Sequence, residues 1–265
     1  MNKVKITIKS KQDSWFSNPS TFYKVDHDEL ASRGPYIQLA QAWLYLAPPN
    51  HYWDFNNTIS VYQISPFNPN ILESSKPFTT NPKFHFFIPD MNDEQYLKWD
   101  TYLTGLGYTL QPDIDEFQLM SIQSDEIIQS PIKYKCQRLA LSDLEIAMQI
   151  EPGTNILHKT NKLTTWLQQG YYYVSFDSNN MPTCKIYCHA KSKQMAYIRA
   201  VETKIEYRRQ QYARSLLLYV LQDLFALGFE RVVLQVCEDG PAQLYLSVGF
   251  QIHGTAFECL YDPPK

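Results

Sequence analysis

The spacing of apolar and polar residues changes repeatedly along the chain, and each change predicts an element. VKITIK (residues 4–9) alternates and predicts a strand. ELASRGPYIQLAQAWLYL (29–46) recurs at helical spacing behind Asp28, which suits an N-cap, and predicts a helix broken at Pro35 and ended before Pro48 and Pro49. TISVYQIS (58–65) and KFHFFIPD (83–90) predict strands separated by a loop that begins with PFNPN. DEQYLKWDTYLTGLG (93–107) places Tyr96, Trp99, Leu103 and Leu106 three or four apart, a helix that Gly107 can cap. EFQLMSIQ (116–123) reads as a strand, and SDEIIQSPIKYK (124–135), punctuated by Pro131, as a linker.

Beyond that linker the pattern is fuller. KCQRLA (135–140) predicts a strand and LSDLEIAMQI (141–150) a helix with Ser142 as N-cap, followed by a short helix, NKLTTWLQQG (161–170). Residues 171–203 predict three antiparallel strands with turns at DSNN and KSKQ. A long helix is expected from about Tyr207 to Gly228, with Leu216, Leu217, Val220, Leu221, Leu224 and Phe225 as its apolar face. RVVLQVC (231–237) is apolar almost throughout, as a strand covered on both faces would be. A short helix over GPAQLYLSVG and a final strand over FQIHGTAFECLY complete the order. The expected division is 1–130 and 131–265.

Composition narrows the class. With 44% hydrophobic and 19% charged residues in 265, the chain can bury a proper core. A formal net charge of −3 gives no general attraction to nucleic acid. No apolar run reaches the roughly 20 residues of a membrane span, and MNKVKITIKSKQD has no apolar stretch behind its charged start. The five cysteines are odd in number and scattered, which suggests buried reduced thiols, neither disulfides nor a metal site, and a cytoplasmic protein. Cys184 and Cys188, four apart on a strand, should share a face.

Three stretches in this order, AVETKIEYRRQQYARSLL, GFERVVLQV and DGPAQLYLSVGF, resemble the GCN5-related N-acetyltransferases, the GNAT superfamily. The resemblance covers roughly 131–265. It implies an α/β (α+β) fold: a mixed, largely antiparallel GNAT-type sheet flanked by helices, beside a second, smaller α/β domain. The first half has the same strand, helix, Gly-aromatic, strand layout and is expected to be either a degenerate copy of the unit or an unrelated α/β cap. The superfamily's phosphate turn, Arg/Gln-x-x-Gly-x-Gly/Ala, falls on Arg208, Gln211 and Ala213, with glutamine where glycine is usual.

The same resemblance implies roles for particular residues. Backbone N–H groups of Arg209, Gln210, Gln211, Tyr212, Ala213 and Arg214 would cradle the pyrophosphate of acetyl-CoA, with Arg208, Arg209 and Arg214 attracting its charge. Cations sit poorly at a helix N-terminus unless an anion joins them, which favours a ligand there. Val201 and Thr203 would pair with the pantetheine arm as an added strand. Tyr245 matches the tyrosine that protonates the departing thiolate, although Ala242-Gln243-Leu244-Tyr245 is one residue shorter than the usual A-x-x-L-Y and CEDG replaces an asparagine often found upstream. Glu202 is the candidate base; Tyr197 and His189 are further positions to inspect. The expected function is acetyl transfer to an amine of a small molecule or peptide, with no metal, nucleic acid or membrane partner and with a homodimer left open. The alternative is an inactive GNAT-fold module that binds CoA or a protein.

Overall fold

A computed structural model describes residues 36–38, 42–45, 58–61, 67–76, 79, 81–88, 91–112, 115–152, 155–190, 193–237 and 239–264. Its contacts divide the chain into two compact units, Met1–Gln118 with His253–Lys265, and Leu119–Ile252. The division expected from chain order lay at 130/131; the contacts place it at 118/119 and return the last strand to the first unit.

In the first unit, β1 (Tyr36–Gln38), β2 (Ala42–Tyr45) and β3 (Thr58–Val61) pair antiparallel in succession. β3 runs parallel to β4 (Lys83–Ile88), and β4 pairs antiparallel with β12 (Gln251–Asp262) through Phe257–Tyr261. β5 (Thr109–Leu110) adds to the end of β12. The described part of 29–46 is therefore a pair of strands and not the expected helix. Pro35 bars helix continuation, and Tyr36, Ile37, Trp43 and Tyr45 are residue types that favour extended backbone. The expected strand at 4–9 lies outside the described residues. A short helix, α1 (Asn70–Ser75), begins at the last residue of the PFNPN stretch read as loop. α2 (Glu94–Gly105) starts where the Asp93 carboxylate accepts from the N–H groups of Gln95 and Tyr96 at 2.8 and 3.2 Å, and lays Tyr96, Trp99 and Leu103 on Phe84, Phe86 and Tyr261.

The second unit holds residues 119–122 of β6 (Asp115–Ile122), then β7 (Lys135–Leu139), α3 (Leu144–Ile150) and α4 (Ile156–Gln169). β8 (Tyr171–Phe176), β9 (Pro182–Ala190) and β10 (Met195–Thr203) follow, then α5 (Tyr212–Ala226), β11 (Arg231–Val236) and α6 (Asp239–Leu246). The strand order is β6-β11-β10-β9-β8-β7. β7 to β10 form an antiparallel meander, whereas β11 returns parallel to β10. A parallel neighbour needs a crossover, and α5 supplies it.

Strand alternation sorts the core into two layers. Cys184, Ile186 and Cys188 pack with Leu216, Leu217, Val220 and Leu221 of α5 and with Tyr245 and Val248 near α6. Tyr172, Val174 and Tyr187 point the other way, onto Ala147 and Ile150 of α3 and Leu163 and Leu167 of α4. Cys184 and Cys188 thus share the α5 face and are buried free thiols, as is Cys259; Cys136 is half-buried, and Cys237, at the exposed end of β11, departs from the expectation of burial.

Candidate functional site

The parallel ladder between β10 and β11 runs only from Met195–Arg231 to Tyr197–Val233. Immediately beyond it, the pairing of β10 with β9 shifts register between Ile198 and Ala200. Such a bulge bends a strand away from its neighbour, so Val201, Glu202 and Thr203 are not bonded to β11. At this parting lies a cavity of about 600 Å³. Its walls are Val201–Thr203 from β10, the turn from Tyr207 to Arg214 (Gln210 excepted), and Pro241, Gln243, Leu244 and Tyr245 of α6.

The turn is the most constrained part of the wall. A 3₁₀ turn at Ile205–Tyr207 precedes it, so α5 begins at Tyr212 and not at Tyr207 as the apolar pattern suggested. Arg209 and Gln211 have φ of 62° and 71°, and ψ at Gln211 is 11°. Left-handed backbone costs a non-glycine residue about 1–2 kcal/mol, and here it occurs twice within three residues. Alternation of φ sign turns successive N–H groups into one concavity, a nest suited to an anion. No described group accepts a well-formed hydrogen bond from the backbone N–H of any residue from Arg209 to Arg214; the first amide so engaged is that of Ser215, bonded to the Gln211 carbonyl at 2.9 Å. All of residues 209–214 except Gln210 line the cavity, and α5, with the positive end of its dipole, begins at the same place.

The side chains of the turn are less uniform. Arg208 Nε donates to the Thr203 carbonyl at 3.1 Å, so one lone pair of that expected pantetheine partner is already in use. Arg214 is held by Ser130 Oγ at 2.8 Å and the Ser247 carbonyl at 3.3 Å. The oxygens that hold both guanidiniums are neutral, a carbonyl for Arg208 and a hydroxyl and a carbonyl for Arg214. Gln211 Oε1 accepts from Lys133 Nζ at 2.5 Å, and Gln210 Nε2 donates to the Glu206 carbonyl.

Tyr245 is buried on the cavity wall, its ring edge-on to Phe250 at 5.7 Å. Burial pushes its phenol well above the ordinary value, with the thiols of Cys184 and Cys188 adding to the shift. No described group hydrogen-bonds its hydroxyl.

Glu202 also reaches the cavity but is 3.1 Å from Lys185 Nζ, its cross-strand partner on β9. Lys185 is buried and also pairs with buried Glu151, which Lys162 contacts at 2.5 Å. Burial raises the Glu151 carboxyl, but the hydrogen bonds from Lys162 and Lys185 outweigh it and hold it below the usual range. Tyr197 donates to Gln235 Oε1 at 3.0 Å, and His189 is packed beside Tyr187 and Tyr197; neither lines the cavity. The structure thus brings Val201, Glu202, Thr203, Arg208, Arg209, Gln211, Tyr212, Ala213, Arg214 and Tyr245 to one cavity, with Gln210 in the turn but off the wall. Sequence reasoning missed Ser130, Lys133 and Tyr134, which lean on the turn from the segment read as linker, and Lys185.

A sheet parted at its middle and a left-handed turn at the head of the crossover helix together enclose the cavity. Residues 156–250 match the model of the acetyltransferase (GNAT) family. Members of this family use acetyl-CoA. A GCN5-related N-acetyltransferase from Kribbella flavida superposes with a TM-score of 0.64 over 93% of this chain and 96% of that one, at 13% identity. A tandem GNAT protein from the clavulanic acid biosynthesis pathway gives 0.58 over 83% and 78%, at 11% identity. A GCN5-related N-acetyltransferase from Sphaerobacter thermophilus gives 0.51 over 86% and 84%, at 14% identity. At such identities the likeness is one of fold. No curated protein is similar enough to count as a match. Among the described residues no group of three or more His, Cys, Asp or Glu could hold a metal ion, and no helix is long and apolar enough to cross a membrane.

Proposed function

We propose that the chain is an acetyl-CoA-dependent N-acetyltransferase that moves the acetyl group directly to an amine of a small molecule or peptide. The observation that carries this is the left-handed turn from Arg209 to Arg214, whose backbone N–H groups donate to no described group and whose residues, Gln210 excepted, line the cavity together with Tyr245. The site fits the cosubstrate by chemistry: a nest for the diphosphate, neighbouring guanidiniums, and at Val201–Thr203 a strand edge that β11 leaves unpaired, its Thr203 carbonyl shared with Arg208, for an amide-bearing arm.

Acetyl-CoA supplies an activated acyl thioester. The chain's own part is to hold it along β10, where a strand amide can polarise the carbonyl, and to present the Tyr245 proton to the departing sulfur. Glu202 is the group on the wall that can receive the acceptor's proton, directly or through water, with Lys185 fixing its carboxylate.

Calorimetric titration with acetyl-CoA, followed by a free-thiol assay across a panel of amines, tests the proposal. Heat of binding together with amine-dependent thiol release is the expected result. Binding with no release from any amine would leave a CoA-binding module, and absence of binding would remove the cosubstrate as well.

A further inference from the structure

We propose that the extended segment from Ser130 to Tyr134 is a brace that does for this phosphate turn what glycine ordinarily does, and that Lys133 and Tyr134 are positioning residues for the cosubstrate. The proposal rests on the CoA reading of the cavity and extends it to residues outside the turn.

Gln211 stands in left-handed backbone with φ 71°, and contacts from the segment fall on both sides of it and on it. Tyr134 Oη donates to the Gln210 carbonyl at 2.8 Å. Lys133 Nζ donates to Gln211 Oε1 at 2.5 Å. The Tyr134 ring stacks on Tyr212 at 3.9 Å with planes 24° apart. The backbone N–H groups of Lys133 and Tyr134 both donate to Ser215 Oγ, at 2.8 and 3.2 Å, and Ser130 Oγ accepts from Arg214. Residues in sparsely populated backbone regions persist only where their surroundings over-determine them, and this segment is what over-determines Gln211. The Lys133 contact also draws the glutamine amide toward the segment, so the bulk that glycine would lack is held by a specific partner.

If the brace holds the turn in its anion-binding shape, weakening it lowers the fraction of molecules competent to bind, and the apparent Kd rises in inverse proportion to that fraction. The full left-handed preference corresponds to about 5- to 30-fold in affinity, so removing two of the contacts should cost about tenfold. A glycine at 211 needs no brace, and this gives the test its discrimination.

The variants are K133A/Y134F, Q211G and the combination of all three, titrated with acetyl-CoA, with thermal melts of each. K133A/Y134F should bind about tenfold more weakly than wild type. The same pair of changes in the Q211G background should cost twofold or less, while any loss of melting temperature should be alike in both backgrounds. Y134F alone, which keeps the ring stack, gives the same comparison should the double variant fold poorly. A loss of equal size in both backgrounds would overturn the brace while leaving the cosubstrate assignment intact. So would undiminished binding by K133A/Y134F. Failure of wild type and Q211G alike to bind acetyl-CoA would overturn the assignment itself, and the brace with it.

Discussion

Replacing Tyr245 by phenylalanine removes one oxygen from the cavity wall and separates chemistry from architecture. The ring is 7% exposed and packs edge-on against Phe250, and phenylalanine keeps both features. No described group bonds the hydroxyl, so folding stability should move by less than about 0.5 kcal/mol. The rate should not be spared. A positioned acid contributes about 10²–10⁴-fold, or roughly 3–5 kcal/mol of barrier, and this phenol is the acid proposed above. Burial raises it well above its ordinary value, so it stays protonated through neutral and mildly alkaline pH. The same burial would raise a thiolate formed beside it, which keeps donor and leaving group matched. Saturating acetyl-CoA with an accepted amine, assayed by thiol release, should show kcat down at least about a hundredfold. The Kd for acetyl-CoA and the Tm should be unchanged. In wild type, ionisation of Tyr245 should not cause the rate to fall as pH rises toward 10. An unchanged kcat, or a loss matched by an equal loss of CoA affinity, would refute the role.

Three further expectations concern the frame around the site. At Gly249, φ is +113° and a Cβ would run into the Glu126 carbonyl oxygen; G249A should therefore lose about 3–5 kcal/mol, roughly 10 °C in a thermal melt. A fall of under 2 °C would mean that the Glu126 backbone yields easily. Lys185→Met leaves buried Glu151 with one cation, Lys162, beside the Tyr172 hydroxyl and should cost about 3–5 kcal/mol in urea denaturation; an unchanged midpoint would show that water or a shifted side chain replaces the ammonium. Burial raises Tyr96, Tyr172, Tyr173, Tyr245 and Tyr261 above their unfolded value near 10. Above pH 10 the unfolded chain therefore releases protons that the folded chain keeps, so stability is full below pH 10 and falls by about 1.4 kcal/mol per pH unit for each such tyrosine. Urea midpoints at pH 8 and 11 check this, and equal midpoints would contradict it.

Local pattern made the second unit legible. The alternation in 171–203, the apolar run of β11 and the leucines of α5 are short-range signals, and each produced the expected element. The same rule misread 29–46, where two short strands placed apolar residues at intervals that imitate a helix. The start of α5 was missed because residues 208–211 (Arg-Arg-Gln-Gln) are types that favour helix, while Arg209 and Gln211 adopt left-handed backbone. Most of the expected wall residues were legible through one motif, since they lie within one short stretch of chain, 201–214. Lys133, Tyr134 and Lys185 were not. Lys133 and Tyr134 meet the turn across about eighty residues of chain, and Lys185 meets Glu202 across a strand pair; nothing local marks either meeting.

The placement of β12 has a consequence for how the molecule is made. β4 gains its antiparallel neighbour only from Phe257–Tyr261, which leave the ribosome after all of the second unit. At ordinary elongation rates that is a wait on the order of ten seconds. During it, Phe84, Phe86 and Trp99 lack their Tyr261 cover. The half of the protein translated first is therefore the last to close, and a chaperone meeting the nascent chain would find its apolar target there.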